Sequence, residues 1–320
     1  MNLFGTVLTN AAPSANYRGE SAENRAVIQK ITKGRFEYAI ISPEAIRNAL
    51  RETLRALGLP CNRTRLDDEE QLAVEFQDYP DAGRFADDFF MGWLVAAGKA
   101  DREKINKALA ENAGKRSGVA FRFKRDSVLR MNMAVALEPY RHDSVFTQSP
   151  LNAGKSPWKN ADSSQLLHRE TAFTAYQFPF ALNLEDCRPK AVWTRTLLQA
   201  LGQLNEVAGN HARSYFEMAP ASIVVRLTQS LVAGFNTYGF EIADGARHTL
   251  PEIVHGLRAG TSPTEADFPG SEFYLGGKIV RDMDETTVVD LKARGATLDR
   301  SPQRLLDIVA EVSFPTPKAG

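Results

Sequence analysis

The sequence predicts an α+β fold: a ferredoxin-like antiparallel sheet carrying large helical and loop insertions. Three observations predict it. Stretches of period-two alternation and stretches of helical period follow one another as strand, helix, strands, helix, strand. A strongly acidic stretch interrupts that order after the first helix. A long tract rich in Pro, Gly, Asn and Ser interrupts it again before the next clear strand, and a loop this long inside a compact domain is usually functional or disordered.

Residues 2–10, NLFGTVLTN, interleave small and β-branched residues and read as the first strand. Phe36 to Ile41 is a short strand that runs into a helix. Ser42 is its N-cap, Pro43 suits the first helical position, and Glu44 favours the positive end of the helix dipole. Ala45, Ile46, Ala49, Leu50, Leu54 and Leu57 form one apolar face, and Gly58 with Pro60 ends the helix. Arg47, Arg51 and Arg55 fall at i, i+4 and i+8, which lines them up in one outward row.

Asp67 to Asp88 carries nine acids against one base, a net of −8, which fits an acidic surface, a contact between copies, or plain solubility. Within it and just after, Phe85, Phe89, Phe90, Met91 and Trp93 suggest a helix or buried segment capped by Gly98. Lys99 to Arg130 carries ten bases against four acids, a net of +6. In it, Phe121 and Phe123 alternate with Arg122 and Lys124, so the rings face a core and the charges face out.

Residues 141–169 hold the long loop, with Lys155, Trp158 and Lys159 as its candidates for touching nucleic acid, although simple packing is the commoner fate of a Trp. Residues 171–184 place Thr174, Tyr176, Phe178, Phe180, Leu182 and Leu184 on one face of a central strand, with Pro179 marking a bend or edge. A second helix runs from Trp193 through Leu197, Leu198, Leu201 and Leu204 to about Gly209, and residues 210–213 open a further strand. In the tail, Gly276, Gly277 and Lys278 make either a plain turn or a close backbone approach to phosphate. A last helix is capped by Ser301 and Pro302, with Leu305, Leu306, Ile308 and Val309 inside.

The 320 residues suffice for one large domain with insertions, and 43% hydrophobic with 24% charged content is ordinary for a globular protein. No apolar run reaches membrane-spanning length, and the start lacks a secretory pattern. Two cysteines, Cys61 and Cys187, make no disulfide framework, so a reduced, cytoplasmic setting is expected. Five histidines are scattered without metal-ligand spacing, and no phosphate loop or nucleophile elbow is present. No cofactor, metal or catalysis is therefore expected. Net charge is zero, yet Pro13 to Arg65 holds ten Lys/Arg against five Asp/Glu. Arg18, Arg25, Lys30, Lys33 and Arg35 lie ahead of the arginine row, a pattern suited to a polyanion groove, where planar guanidinium forks match phosphate.

An early strand, then Asn16-Tyr17-Arg18-Gly19-Glu20-Ser21, then Ile41-Ser42-Pro43-Glu44-Ala45-Ile46-Arg47-Asn48-Ala49-Leu50-Arg51, resembles the backbone subunit of CRISPR Cascade complexes in its DevR-like branch. Residues 168–183 and 209–213 are similar to further elements of that branch. The resemblance implies an RRM-like palm formed by residues 1–66 and 119–320, an inserted helical finger lobe at 67–118, and a thumb-like loop at 141–169. It implies no enzymatic activity but binding of crRNA by Asn16, Arg18, Arg25, Ser42, Arg47, Asn48, Arg51, Arg125, Arg130, His211, Arg213, Gly276, Gly277 and Lys278. Its implied partners are crRNA, target DNA through the guide, further copies of the chain, an end-capping subunit and a large subunit; no membrane is involved. Two other classes compete: a DNA-binding transcriptional autoregulator, and a metal-independent repeat-RNA endonuclease with His168 or His211 as its candidates. The first lacks a helix-turn-helix pair and the second an acid–base pair.

Overall fold

The structure is a computed structural model and describes residues 1–22, 25–65, 74–112, 121–148, 166–205, 207 and 215–316; of these, the side chains of 18–22, 25, 108–112, 147–148 and 166–167 are not considered. The chain divides into two compact units, Met1–Leu57 with Met131–Gly320, and Gly58–Arg130.

In the first unit, the strands are β1 (Asn2–Leu8), β2 (Lys30–Lys33), β3 (Phe36–Ile41), β4 (Ala134–Ala136), β5 (Tyr176–Asn183), β6 (Ser222–Thr228), β7 (Phe273–Gly277) and β8 (Thr297–Asp299). They form one sheet in the order β8-β7-β6-β1-β5-β4-β3-β2, antiparallel except for the β7–β8 pair. Its centre, β6-β1-β5-β4, is the 4-1-3-2 order of a ferredoxin-like sheet. Helix α1 (Pro43–Ala56) follows the first of these strands, and α2 (Ala191–Gly202) follows the third.

Register explains the central strand. Leu3 pairs with Leu182 and Leu227, and Val7 with Phe178 and Ile223, so one sheet face is apolar across three strands. That face lies against the last helix, α3 (Pro302–Ser313), whose Leu305 presses on Gly276, and α2 packs on α3 where Gly202 meets Leu306. The opposite face is covered too: Leu8, Val224, Phe273 and Leu275 belong to a buried cluster with Phe240, Ile253 and Leu257. These parts of β1, β6 and β7 are thus buried on both faces. Pro179 sits inside β5 without breaking it. Its carbonyl accepts from the Asn132 amide at 3.3 Å, beyond the end of β4 and next to Arg130–Met131, which also pairs with β5.

Several expected boundaries shift. Helix α2 ends at Gly202 rather than near Gly209, and Leu57 and Ile308 are partly exposed rather than inside their helices' apolar faces. Residues 141–169 are not wholly a loop. Ser144–Gln148 and Leu166–Glu170 pair antiparallel as an arm, and the second of these also pairs with Arg25–Ile28, which in turn pairs with Tyr17–Ala22. Lys155, Trp158 and Lys159 lie outside the described residues.

The second unit corrects the reading of the acidic stretch. Its helix Ala86–Met91 ends at Gly92, in the left-handed region, and not at Gly98. Asp87 and Asp88 on that helix are fully buried. Asp87 accepts from the amides of Asn62 (2.7 Å) and Arg63 (3.0 Å); Asp88 accepts from Asn62 Nδ2 (2.9 Å) and Arg63 Nη2 (3.1 Å). Two of the nine acids are thus an interior tie and not a solvated surface, because buried carboxylates persist only when paired and hydrogen-bonded. Among the described residues, no helix is long and apolar enough to cross a membrane.

Candidate nucleic-acid interface

Helix α1 begins as expected: Ser42 Oγ accepts from the Ala45 amide at 3.2 Å. Ser42 therefore has a structural task as N-cap. The outward arginine row does not form. Arg51 is only 4% exposed and donates from Nη1 to Asn48 Oδ1 at 2.8 Å, while Arg55 is paired with Glu52 at 2.5 Å. The reason is the width of the apolar stripe. Ile46, Ala49, Leu50 and Leu54 are buried, and Arg51 borders Leu50 on the helix, so its stem is covered with them. Arg47 is half-buried, and its Nε is enclosed without an acceptor.

Ahead of the helix, Asn16 is buried, and its backbone carbonyl accepts from the Gln29 amide at 2.8 Å. Gln29 Nε2 donates back to the Tyr17 carbonyl at 3.1 Å, and the Gln29 carbonyl accepts from Ile40 of β3. These bonds tie the Asn16–Tyr17 segment to the strand that delivers α1. Asn16 Nδ2 is enclosed but unpartnered. The backbones of Arg18 and Arg25 lie in the paired strands Tyr17–Ala22 and Arg25–Ile28.

At the base of the arm the structure gathers residues that sequence reasoning did not bring together. Glu170, 5% exposed, accepts from the Ile28 amide at 3.2 Å and from Lys30 Nζ at 3.4 Å, with His142 Nδ1 at 3.8 Å. Lys30 also lies 4.4 Å from the centre of the Tyr140 ring. Burial raises the pKa of Tyr17 and Tyr140, and the nearby Glu170 raises both further; for Tyr17 the Arg169 guanidinium works the other way. Tyr176, beside Ser14, is pushed up to about 12, again by burial. These phenols keep their protons at neutral pH. Arg169 Nη1 is a third enclosed donor without an acceptor. Glu170 and Lys30 stand about 140 residues apart in sequence, and no local signal joins them.

Other expected contacts have internal tasks. Arg125 donates to the carbonyls of Asp88 (3.1 Å) and Phe89 (2.6 Å), and lies over the Phe89 and Trp93 rings. It satisfies orphan carbonyls at the end of a helix, which removes the reason to aim it at a bound strand. Gly276 and Gly277 are buried. A Cβ on Gly276 would stand 2.9 Å from Leu305, and one on Gly277 (φ +91°) would stand 2.2 Å from the Ala221 carbonyl. Both are small because α3 and a neighbouring strand end press on them. Lys278 donates to the Ala246 carbonyl at 2.5 Å. Arg130 is exposed at the end of the second unit, and His211 and Arg213 lie outside the described residues. His168 is taken up against Phe146, ring centres 4.3 Å apart.

Beside Lys278, His248 bonds through Nδ1 to Ser222 Oγ at 2.8 Å, and the same oxygen accepts from the Ile279 amide at 2.8 Å. Burial, aided by Lys278, lowers the His248 pKa to about 4, so the ring is neutral at neutral pH.

No family model matches the chain. Among solved structures, a chain of a "CRISPR RNA-guided surveillance complex, pre-nicking" superposes with a TM-score of 0.56 at 13% identity, covering 98% of this chain and 100% of that one. A chain of a "CRISPR RNA-guided surveillance complex" superposes with a TM-score of 0.58 at 11% identity, with the same coverage. These share the fold. A protein of Myxococcus xanthus (strain DK1622) described as "CRISPR-associated protein Cas7/Cst2/DevR" is 30% identical over 287 residues, 88% of this chain and 87% of its own length. The resemblance first carried by the Asn16–Arg51 elements thus extends over most of both chains, and the chain belongs to the Cas7/Cst2/DevR family of CRISPR-associated proteins.

Proposed function

We propose that the chain is a non-catalytic, crRNA-binding backbone subunit of a CRISPR effector complex. Copies polymerise along the guide and hold its bases out for pairing with target DNA, so pairing supplies specificity while protein reads backbone and shape. The carrying observation is a set of buried donors without acceptors. Among the described residues of the first unit, five side-chain atoms are enclosed and unpartnered: the hydroxyls of Tyr140 and Ser313, and three nitrogens, Asn16 Nδ2, Arg47 Nε and Arg169 Nη1. Leaving such a group unpaired costs about 1–3 kcal/mol, and more when it is charged. All three nitrogens are donors, and two of them stand in the Asn16–Arg51 elements. An anion such as a phosphate oxygen would satisfy them. Arg18, Arg25, Asn48, Arg51, Arg130, His211 and Arg213 remain proposed contacts; Ser42, Arg125, Gly276, Gly277 and Lys278 do not, since each has an internal task.

The test is binding of single-stranded RNA of increasing length, followed by gel shift and light scattering across a salt series. Mass should grow stepwise with length, whatever the RNA sequence. Arg47→Gln should weaken binding and reduce the salt slope by about one, as loss of one phosphate contact requires. A single complex with duplex DNA and no growth on RNA would instead make the chain a regulator, and shortened RNA would make it a nuclease.

A further inference from the structure

Where the chain leaves the arm, burial alternates residue by residue. Glu170, Ala172 and Thr174 are buried, Thr171 is half-buried, and Phe173 is 70% exposed. Alternation puts Arg169, Thr171 and Phe173 together on the outward face of this extended segment. The ladders fix what stands beside them. Phe173 pairs with Pro13, itself exposed, on the adjoining Ala12–Ser14 strand. Arg169 pairs with Ala26, and Tyr17 pairs with Ile28 two residues further along that same strand, so Arg169 and Tyr17 also share a face. The Arg169 guanidinium is felt at the Tyr17 phenol, as that placement requires.

A single exposed phenylalanine calls for no explanation of its own. What singles out Phe173 is the cation on its face. Arg169 Nη1 is enclosed and has no acceptor. Four residues of extended chain set the two backbones about 13 Å apart. A ligand that answers both side chains must carry an anionic oxygen and, a short step away, a flat apolar ring. Unpaired nucleic acid offers that combination at every residue, one phosphate and one base.

We infer that Phe173 is a stacking platform for an unpaired base of the bound RNA, close to the phosphate that Arg169 takes. The inference rests on the reading of the chain as an RNA-binding subunit, and it assigns a side chain which that reading leaves out. Stacking tolerates any sequence, because every base has a π face, so Phe173 holds a base without selecting it. The core does not need the ring: Ala172 and Thr174 on either side supply the buried face.

The experiment uses the full chain and a single-stranded RNA long enough for one copy, titrated by gel shift over a salt series. Phe173→Ala should weaken binding about 5- to 150-fold, the loss expected of one stacked base, with the salt slope unchanged. Phe173→Trp should bind as the unaltered chain does, whereas Phe173→Leu, apolar but not aromatic, should not. Arg169→Gln should also weaken binding, but with the salt slope lowered by about one. On an abasic strand, which keeps only phosphates and sugars, Phe173→Ala and the unaltered chain should bind alike. Thermal midpoints of the Phe173 variants should match the unaltered chain, since the ring is exposed. Unaltered affinity in Phe173→Ala, or an equal loss on the abasic strand, would overturn the inference. So would a loss seen only on RNA long enough for several copies, which would mean that a neighbouring copy covers the ring. If the unaltered chain bound no RNA at all, the reading beneath the inference would fall with it, and the two failures are thereby told apart.

Discussion

Glu170 and Lys30 offer a sharp test of how the arm is held to the first unit. Their side chains are 6% and 13% exposed and stand 3.4 Å apart. Breaking a buried ion pair by removing one partner costs about 3–5 kcal/mol, because an uncompensated charge stays behind. Here the remaining partner is not stranded entirely. Without the Glu170 charge, Lys30 keeps the Tyr140 ring at 4.4 Å and Glu37 at 3.9 Å. Without Lys30, Glu170 keeps the Ile28 amide at 3.2 Å and His142 at 3.8 Å. We therefore expect about 2–3 kcal/mol from Glu170→Gln and from Lys30→Met, below the full figure. The double variant should lose little more than either single one, which is a coupling of about 2 kcal/mol. For a unit of this size each kcal/mol lowers the thermal midpoint by roughly 2–4 °C, so calorimetry resolves the effect. Hydrogen exchange at the Ile28 amide then reports whether the loss is local to the arm base. Strictly additive losses would refute the reasoning, for they would mean that the two charges do not sense one another.

Three further outcomes follow from the same structure. The His248 ring, with a pKa of about 4 when folded against an ordinary 6.5, binds its proton more readily in the unfolded chain; its stabilising share is complete above pH 6.5 and lost between pH 6.5 and 4, at most roughly 3 kcal/mol, and denaturant titrations of the native chain and His248→Gln should converge at low pH. Gly276→Ala should cost about 1–3 kcal/mol and Gly277→Ala more, because the first Cβ meets a side chain and the second a carbonyl 2.2 Å away at positive φ; unfolding midpoints check this, and a stable Gly276→Ala chain that lost RNA binding would reinstate the phosphate role. Asp88→Ala removes one acceptor of Arg63 and of Asn62, which keep the Gly92 and Asp78 carbonyls, and should cost at most about 3–5 kcal/mol within the second unit, seen as rapid proteolysis between residues 58 and 130 while the first unit stays intact.

Local chemistry was legible in the residues. The Ser42 cap, the Pro43 start and the left-handed Gly58 close behind α1 were all visible, because each acts within one helical turn. So was the inward face of β5 from Tyr176 to Leu182, since alternation in a strand assigns faces without knowledge of the neighbours. Even the 4-1-3-2 sheet was within reach, because the order of strands and helices leaves few right-handed, unknotted ways to close it. Charge was where that reasoning stopped. Arg51, Asp87, Asp88 and Arg125 looked like surface in the sequence, and each proved engaged inside: Arg51 by the apolar stripe of its own helix, the aspartates by Asn62 and Arg63, and Arg125 by two carbonyls at a helix end. A charged side chain is buried or solvated according to whether a partner from elsewhere in the chain arrives to pay for its desolvation, and periodicity carries no information about that arrival. Glu170 meets Lys30, and Gly276 meets Leu305, because the folded chain delivers distant segments to one point. That delivery belongs to topology and not to any stretch of residues read alone.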